Sequence, residues 1–341
     1  MMKYFFLFFI ILGVSGCVDT QYHTNTNRGK KIYLISSSSA YDDRVVEEIT
    51  QKFSLAGFTV NTKYLNQQPT DLGYVNTDQQ RGETLVSALT DPDVQYLWFI
   101  RGGAGALNLY PALMANKEKI KRTAIKIPIG FSDVTAIEYF VQNELKWPSI
   151  HGILASYNKE VSGEDSVVSK NSSILEIPMA IKNGVEYTTL EPLNSQSKKN
   201  IAGIVSGGNM TLIQSFFSTQ YEMDYHNKIL IFEDTGVSYR QLDRTLHQLL
   251  FKEKFAPRAI IFGQFYPEAS SEKDKLLYKK VITSFANQVS FPVYYYPYFG
   301  HGATNQPFII GNKANITCAE QSRFCSIRQK GLEFPNVVPA Q

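Results

Sequence analysis

The chain has 341 residues, with 34 Lys and Arg against 31 Asp and Glu, for a formal net charge of +3. Hydrophobic residues make up 43% and charged residues 19%, which excludes a disordered polyelectrolyte and leaves enough apolar surface for one large domain or two modest ones. So small a net charge argues against nucleic acid, or an anionic membrane surface, as the main partner.

Met1, Met2 and Lys3 make a short basic start before an apolar run over residues 4–14. That run has signal-peptide length and is too short to span a bilayer. Val14-Ser15-Gly16-Cys17 follows, in the pattern of a bacterial lipobox. Cleavage before Cys17 leaves its thiol as the site of lipidation. A generic secretory peptide with an incidental Cys is the competing reading, and the small residues before Cys17 disfavour it. The expectation is a signal peptide over 1–16, a polar tether over 17–29 and a place in the bacterial cell envelope, lipid-anchored at the periplasmic face of a membrane.

Residues 30–37 predict a strand ending in a Ser-rich turn. Val45, Val46, Ile49 and Phe53 recur at helical spacing within 42–55. Residues 58–64 alternate as a strand, 78–89 form a helix closed by Asp91-Pro92, and 94–100 are a buried strand ending in Arg101-Gly102-Gly103-Ala104-Gly105. Ile125, Ile127 and Ile129 then lead into Gly130-Phe131-Ser132-Asp133, after which no Gly or Pro occurs until Pro148. Strand and helix alternating at this spacing predict a parallel sheet. Residues 159–171 read as loop, 174–193 as a weak strand pair and 195–200 as a turn. The expected division is an N-terminal α/β domain over 30–172, a linker over 173–200 and a smaller C-terminal α/β domain over 201–341.

In the second block, 201–205 is a strand, and Ser206-Gly207-Gly208-Asn209 opens a helix to about 217. A strand over 228–232 ends at Glu233-Asp234. An amphipathic helix over 238–251 carries Leu242, Leu246, Leu249 and Leu250 on one side. A strand over 258–262, a helix over 273–285 and a strand over 292–296 follow, the last running into Gly300-His301-Gly302. Two closing strands, 307–311 and 314–327, are expected to form a terminal hairpin closed by Cys318–Cys325, because disulfides persist in an exported protein. No other Cys or His lies near them in sequence, so no metal site is expected.

Three strand ends carry polar residues: Ser132, Glu233 and His301. Catalytic groups of α/β folds sit at the carboxyl ends of strands. A Ser nucleophile needs a neutral His as base, and the base needs an acid to orient it. Of five His residues, His151 and His301 both follow strand-like runs and precede Gly, and spacing puts His301 only modestly ahead. Strand, turn and helix around Ser132 is the context of a nucleophile elbow, although position 134 is Val rather than Gly. A Ser that merely caps a helix is the plainer alternative. The glycine turn 101–105 can supply oxyanion donors or cradle a phosphate. It can also be no more than a tight turn.

Taken in order, the motifs resemble the LD-carboxypeptidase family of serine peptidases, which includes murein tetrapeptide carboxypeptidases and microcin C self-immunity peptidases. Asp78, Arg81, Leu85, Ala88 and Asp91-Pro92 precede the turn Arg101–Gly105, which resembles the family's RGGYG. Gly130-Phe131-Ser132-Asp133-Val134-Thr135 resembles its nucleophile corner, and His151-Gly152 a following HG pair. Gly207-Gly208-Asn209-Met210 resembles GGNL. Glu233-Asp234 with Tyr239, Asp243 and Arg244 resembles the acidic strand end, and Gly300-His301-Gly302 with Asn305 the final GHG segment. The match spans residues 30 to 312. Ala104 departs from it, standing where an aromatic is usual.

The resemblance implies that Ser132 is the nucleophile, His301 the base and Glu233 its orienter, with backbone N–H groups of Gly103 and Asp133 as oxyanion donors. Arg101 is a weaker candidate for the substrate's terminal carboxylate, with a structural ion pair as the alternative. The implied activity is removal of the terminal D-alanine from peptidoglycan stem tetrapeptides, with cleavage of cross-links as an extension and no metal or cofactor. Another Ser hydrolase or amidase of the microcin-immunity type, and an inactive muropeptide-binding lipoprotein, are the competing readings. A homodimer stands as an open expectation.

Overall fold

The computed structural model describes residues 31–156, 173–266, 270–302 and 304–333. The expected signal peptide, the tether, Cys17 and the loop over 159–171 lie outside the described residues.

Five short parallel strands make the body of the first sheet. They are β1 (Lys31–Ile35), β2 (Thr59–Tyr64), β3 (Tyr96–Phe99), β4 (Ile127–Gly130) and β5 (Ser149–His151). Four are buried on both faces, and the edge strand β2 is largely open to solvent. Their order is β5-β4-β3-β1-β2, and all pairs are parallel. Continuous apolar runs such as Tyr96–Phe99 are what a parallel sheet covered on both faces requires. One face packs Ile49 and Phe53 of the helix Arg44–Leu55 against Trp98. The other packs Leu85 and Leu89 of the helix Asp78–Thr90 against Leu97 and Phe99. The second helix starts with a full capping box between Thr77 and Gln80.

Eight further strands follow: β6 (Val185–Pro192), β7 (Ile201–Asn209), β8 (Lys228–Glu233), β9 (Ala259–Phe262), β10 (Val293–Tyr295), β11 (Phe308–Ile310), β12 (Lys313–Cys318) and β13 (Cys325–Gln329). Seven of them close into a barrel in the order β10-β6-β13-β12-β7-β8-β9. The C-terminal part is therefore a mixed β-barrel rather than a small α/β sheet with an appended hairpin. Sequence periodicity missed the closure because β6 lies in the stretch expected as a linker, and its pairing with β10 and β13 is long-range. The helix Ser173–Asn183 likewise stands where a strand pair was expected.

Alternation decides which side chains fill the barrel. Ile229 and Ile231 of β8, and Ala259 and Ile261 of β9, point into it. Leu230, Phe232, Ile260 and Phe262 point outward, into the core that holds Leu242, Leu246 and Leu249 of the helix Tyr239–Leu250 and Phe285 of the helix Glu272–Ala286.

The strand expected to start the hairpin does something else. β11 pairs antiparallel with β5 at the edge of the first sheet, Phe308 opposite His151. Phe308 and Ile310 enter the barrel core and Ile309 the core of the first sheet, so three residues join the two cores. The hairpin itself is β12 with β13, bridged by Cys318–Cys325 with a Cα–Cα distance of 4.3 Å.

Candidate active site

The nucleophile corner is built from backbone. Ser132 has φ of +62°, a left-handed conformation that few non-glycine residues hold and that it shares with Lys146, Ser218 and Asn227. β4 ends at Gly130, a tight turn of 3-10 helix covers Ser132–Val134, and the helix Thr135–Phe140 follows. A Cβ at Gly130 would lie 3.0 Å from a Val134 methyl. The valine at 134 thus presses on position 130, which leaves glycine the residue that fits there without a shift. The buried carboxylate of Asp133 accepts the N–H of Ala106 at 2.8 Å, tying the corner to the end of the glycine turn. Burial pushes that carboxyl upward in pKa.

The glycine turn presses against the nucleophile. A Cβ at Gly102 would stand 3.3 Å from Ser132 Oγ. Gly103 has φ of +107°, and Ser39 fills the space its side chain would take. Ser39 Oγ accepts the N–H of Ala104 at 3.2 Å. The buried guanidinium of Arg81 donates to the carbonyls of Gly105 at 2.9 Å, Asn76 at 3.2 Å and Ser37, and pairs with Asp78. Arg101, by contrast, is exposed and donates to the Ala40 carbonyl at 2.6 Å.

The charged half comes from the barrel side. β8 delivers Glu233 at its carboxyl end, fully buried. The segment after β10 delivers His301. His301 Nε2 lies 3.0 Å from Ser132 Oγ, and Nδ1 lies 2.6 Å from Glu233 Oε2. With Nδ1–H donated to the carboxylate, Nε2 offers its lone pair to the Ser hydroxyl; this tautomer is assigned from the hydrogen-bond network. Gly300 has φ of +115°, and a Cβ there would meet the Glu233 Cβ at 3.0 Å. Asn305 accepts the Gly300 N–H at 2.9 Å and donates to the Gly152 carbonyl at 2.9 Å. One buried amide thus ties the His301 loop to the end of β5.

Burial alone would lower the pKa of His301, but the Glu233 charge and hydrogen bond outweigh it, and the ring sits above the ordinary imidazole value. Burial pushes Glu233 up, but His301, His151 and the Asn209 amide together outweigh it and hold the carboxyl below its ordinary value. A serine, a base and a carboxylate in this geometry can perform nucleophilic acyl transfer.

The structure brings Ser132, Glu233 and His301 together and sets the glycine turn and Asp133 beside them. The ring on Ser132 Oγ is that of His301, while His151 Nδ1 lies 2.9 Å from Glu138 Oε2. His226 and His247 are solvated to different degrees and lie elsewhere. Asp234 is engaged by Asn209, the backbone and hydroxyl of Thr211, and the N–H of Thr235. Sequence reasoning overlooked Glu138. Its signal was there to see: a lone acid in the apolar run from Val134 to Val141. Among the described residues, no group of three or more His, Cys, Asp or Glu is placed to hold a metal ion.

The family model of the LD-carboxypeptidase N-terminal domain matches residues 32–152, and that of the C-terminal domain matches residues 202–316. A putative carboxypeptidase of Rickettsia prowazekii is 30% identical over 257 residues, covering 73% of this chain and 76% of that protein. The murein tetrapeptide carboxypeptidase of Pseudomonas aeruginosa is 26% identical, covering 83% and 92%. The crystal structure of an MccF-like protein from Bacillus anthracis has the same fold, with a TM-score of 0.72 at 19% identity over 89% of this chain and 97% of that one. The chain belongs to the LD-carboxypeptidase family and is a serine-type hydrolase.

Proposed function

We propose that this enzyme removes the terminal D-alanine from the tetrapeptide stem of peptidoglycan by cleaving the amide between an L-centre and D-alanine. The observation that carries the proposal is the unbroken chain from Ser132 Oγ to His301 to Glu233, at 3.0 and 2.6 Å, in a family whose relatives include a murein tetrapeptide carboxypeptidase. Ser132 Oγ attacks the carbonyl carbon as its proton passes to His301 Nε2. The oxyanion is received by the N–H groups of Gly103 and Asp133. His301 returns the proton to the leaving amine as the C–N bond breaks, and water then hydrolyses the acyl-enzyme by the same route in reverse.

Arg101 receives the substrate's terminal carboxylate at the open edge of the glycine turn. On this reading Arg101→Ala raises KM about 10-fold or more and changes kcat little, as loss of uniform binding does. A fall in kcat at constant KM would remove Arg101 from this role. The lipobox at Cys17 puts the reaction in the cell envelope, on sacculus or fragments newly released from it. Fatty-acid labelling of wild type and Cys17→Ala tests that placement, and equal labelling overturns it.

The activity is tested by mass spectrometry of defined muropeptides before and after digestion. Loss of one alanine from the tetrapeptide is expected. Release of cross-linked dimers as well would add endopeptidase action. Turnover of a simple acyl ester with no change in any muropeptide would overturn the peptidase reading.

A further inference from the structure

Behind Glu233 lies a second histidine–carboxylate pair. Glu138 comes from the helix that follows the nucleophile, and His151 is the last residue of β5; both are completely buried. His151 Nδ1 is 2.9 Å from Glu138 Oε2, and His151 Nε2 is 3.9 Å from Glu233 Oε1. Among the described residues neither His151 Nε2 nor Glu233 Oε1 has a partner at full hydrogen-bonding distance, and the Asn209 amide is the other group that favours the Glu233 charge. Each ring nitrogen therefore faces a carboxylate oxygen. A neutral imidazole has one N–H, so its other nitrogen would turn a lone pair toward a carboxylate in a dry interior. Only the imidazolium presents N–H to both.

The surroundings agree. Glu138 faces the ring from the elbow helix, Glu233 from β8, and His301 lies beyond Glu233. Phe131 closes one side at 6.2 Å between centroids. From β7 comes Gly208, where a Cβ would stand 3.1 Å from His151 Cε1, and next to it Asn209, whose amide acts on Glu233. Burial opposes both charges of the pair and raises Glu138, but at the ring the two carboxylates outweigh it and His151 sits above the ordinary imidazole value.

We infer that His151 is a positioning residue of the reaction: a buried cation, with Glu138 as its counter-ion, that anchors the second oxygen of Glu233 and limits how strongly Glu233 charges His301. Glu233 then works with one oxygen hydrogen-bonded to His301 at 2.6 Å and the other facing the His151 cation at 3.9 Å. The cation opposes protonation of His301 across the shared carboxylate, which keeps the base neutral further down in pH. The inference rests on the triad reading above.

The test is histidine NMR. The chain has five His residues, so ¹⁵N-histidine labelling with single substitutions assigns each ring. In wild type, His151 is expected to show both nitrogens protonated from pH 6 to 9 while His301 titrates within that range. His151→Gln keeps a donor beside Glu233 but removes the charge. The His301 midpoint should then rise on the order of half a unit to one unit, and the acidic limb of kcat/KM should rise with it. A packing role alone would leave the midpoint unmoved. A neutral His151 in wild type, or a His301 midpoint that stays or falls in His151→Gln, overturns the inference. The wild-type spectrum decides the first point even if the variant does not fold. Absence of muropeptide turnover would sink the substrate reading and leave both NMR readouts standing.

Discussion

Ser132 is held by backbone, and Glu233 and His301 are held by side chains. On the nucleophile side, a left-handed serine, a glycine with no room for a methyl and a turn pinned by Arg81 fix the hydroxyl within a few consecutive residues. On the other side, a carboxylate and an imidazole meet across 68 positions of sequence and reach the serine across 169. Their placement depends on barrel closure, on the strand that joins the two cores and on the Asn305 bridge. The difference is one of error tolerance. The local corner resists perturbation elsewhere in the chain, whereas the charged half is exposed to any change that shifts one core against the other.

The largest effect should come from the corner. Ser132→Ala should lower kcat/KM by about 10⁴-fold or more, the loss typical of a removed triad nucleophile. Ser132→Gly should lose as much activity without losing stability, because relief of the left-handed strain offsets the added freedom of the unfolded chain. Melting curves beside rate assays check both. Turnover at the wild-type rate in either variant would end the nucleophile assignment, and a clear fall in Tm for the glycine variant would end the claim of strain.

Glu233→Gln comes next and acts through charge. The carboxylate raises His301 above its ordinary value of about 6.5. Its loss therefore lowers that value, and the acidic limb of kcat/KM moves down in pH. Activity should fall about 10³- to 10⁴-fold at every pH, since an amide can hold the wrong tautomer. The sign separates this variant from His151→Gln, whose limb should move up. An unmoved limb with near-wild-type rate would make Glu233 a structural residue.

Asn305→Ala tests the bridge between the halves. It leaves the Gly300 N–H and Gly152 carbonyl without their shared partner, at a cost of about 1–3 kcal/mol in stability. Displacing the His301 loop should lower kcat about 10- to 100-fold with little change in KM. If kcat holds while Tm falls, the bridge serves the fold and not the site.

The same division decides what could be seen in the sequence. The parallel sheet was legible because its strands carry unbroken apolar runs and its helices a 3.6 period. Ser132 was legible because Gly-Phe-Ser-Asp after β-branched residues is a local pattern. The barrel was not, because closure pairs β6 with β10 and β13, and nothing within 185–192 announces its partners. β11 was misplaced for a related reason. Its alternation fits a hairpin as well as a strand that divides its side chains between two cores, and only the pairing with β5 decides. Spacing could not choose between His151 and His301, since both follow strands and precede glycine. The structure uses both, one beside the serine and one behind the carboxylate.

The smallest effect on activity should come from the disulfide, which lies at the far end of the barrel. β12 runs antiparallel to β7 with Ile316 opposite Ile201, so Cys318 lies by the start of β7. Glu233 pairs with Asn209 at its end. Eight residues of strand put about 25 Å between them. Opening Cys318–Cys325 by substitution of both with Ser frees a loop with a sequence separation of 7, for which chain entropy gives about 2.5 kcal/mol at 25 °C. A protein of this size should then melt a few degrees lower, about 3–5 °C. kcat/KM at 25 °C should stay within about twofold, because β7 and β8 keep their own parallel pairing up to Asn209 and Glu233. Thermal melts and initial rates of the double variant measure both numbers. A large loss of rate with a small change in Tm would show that strain at the hairpin reaches the triad through β12 and β7, and the two ends of the barrel would then have to be treated as coupled.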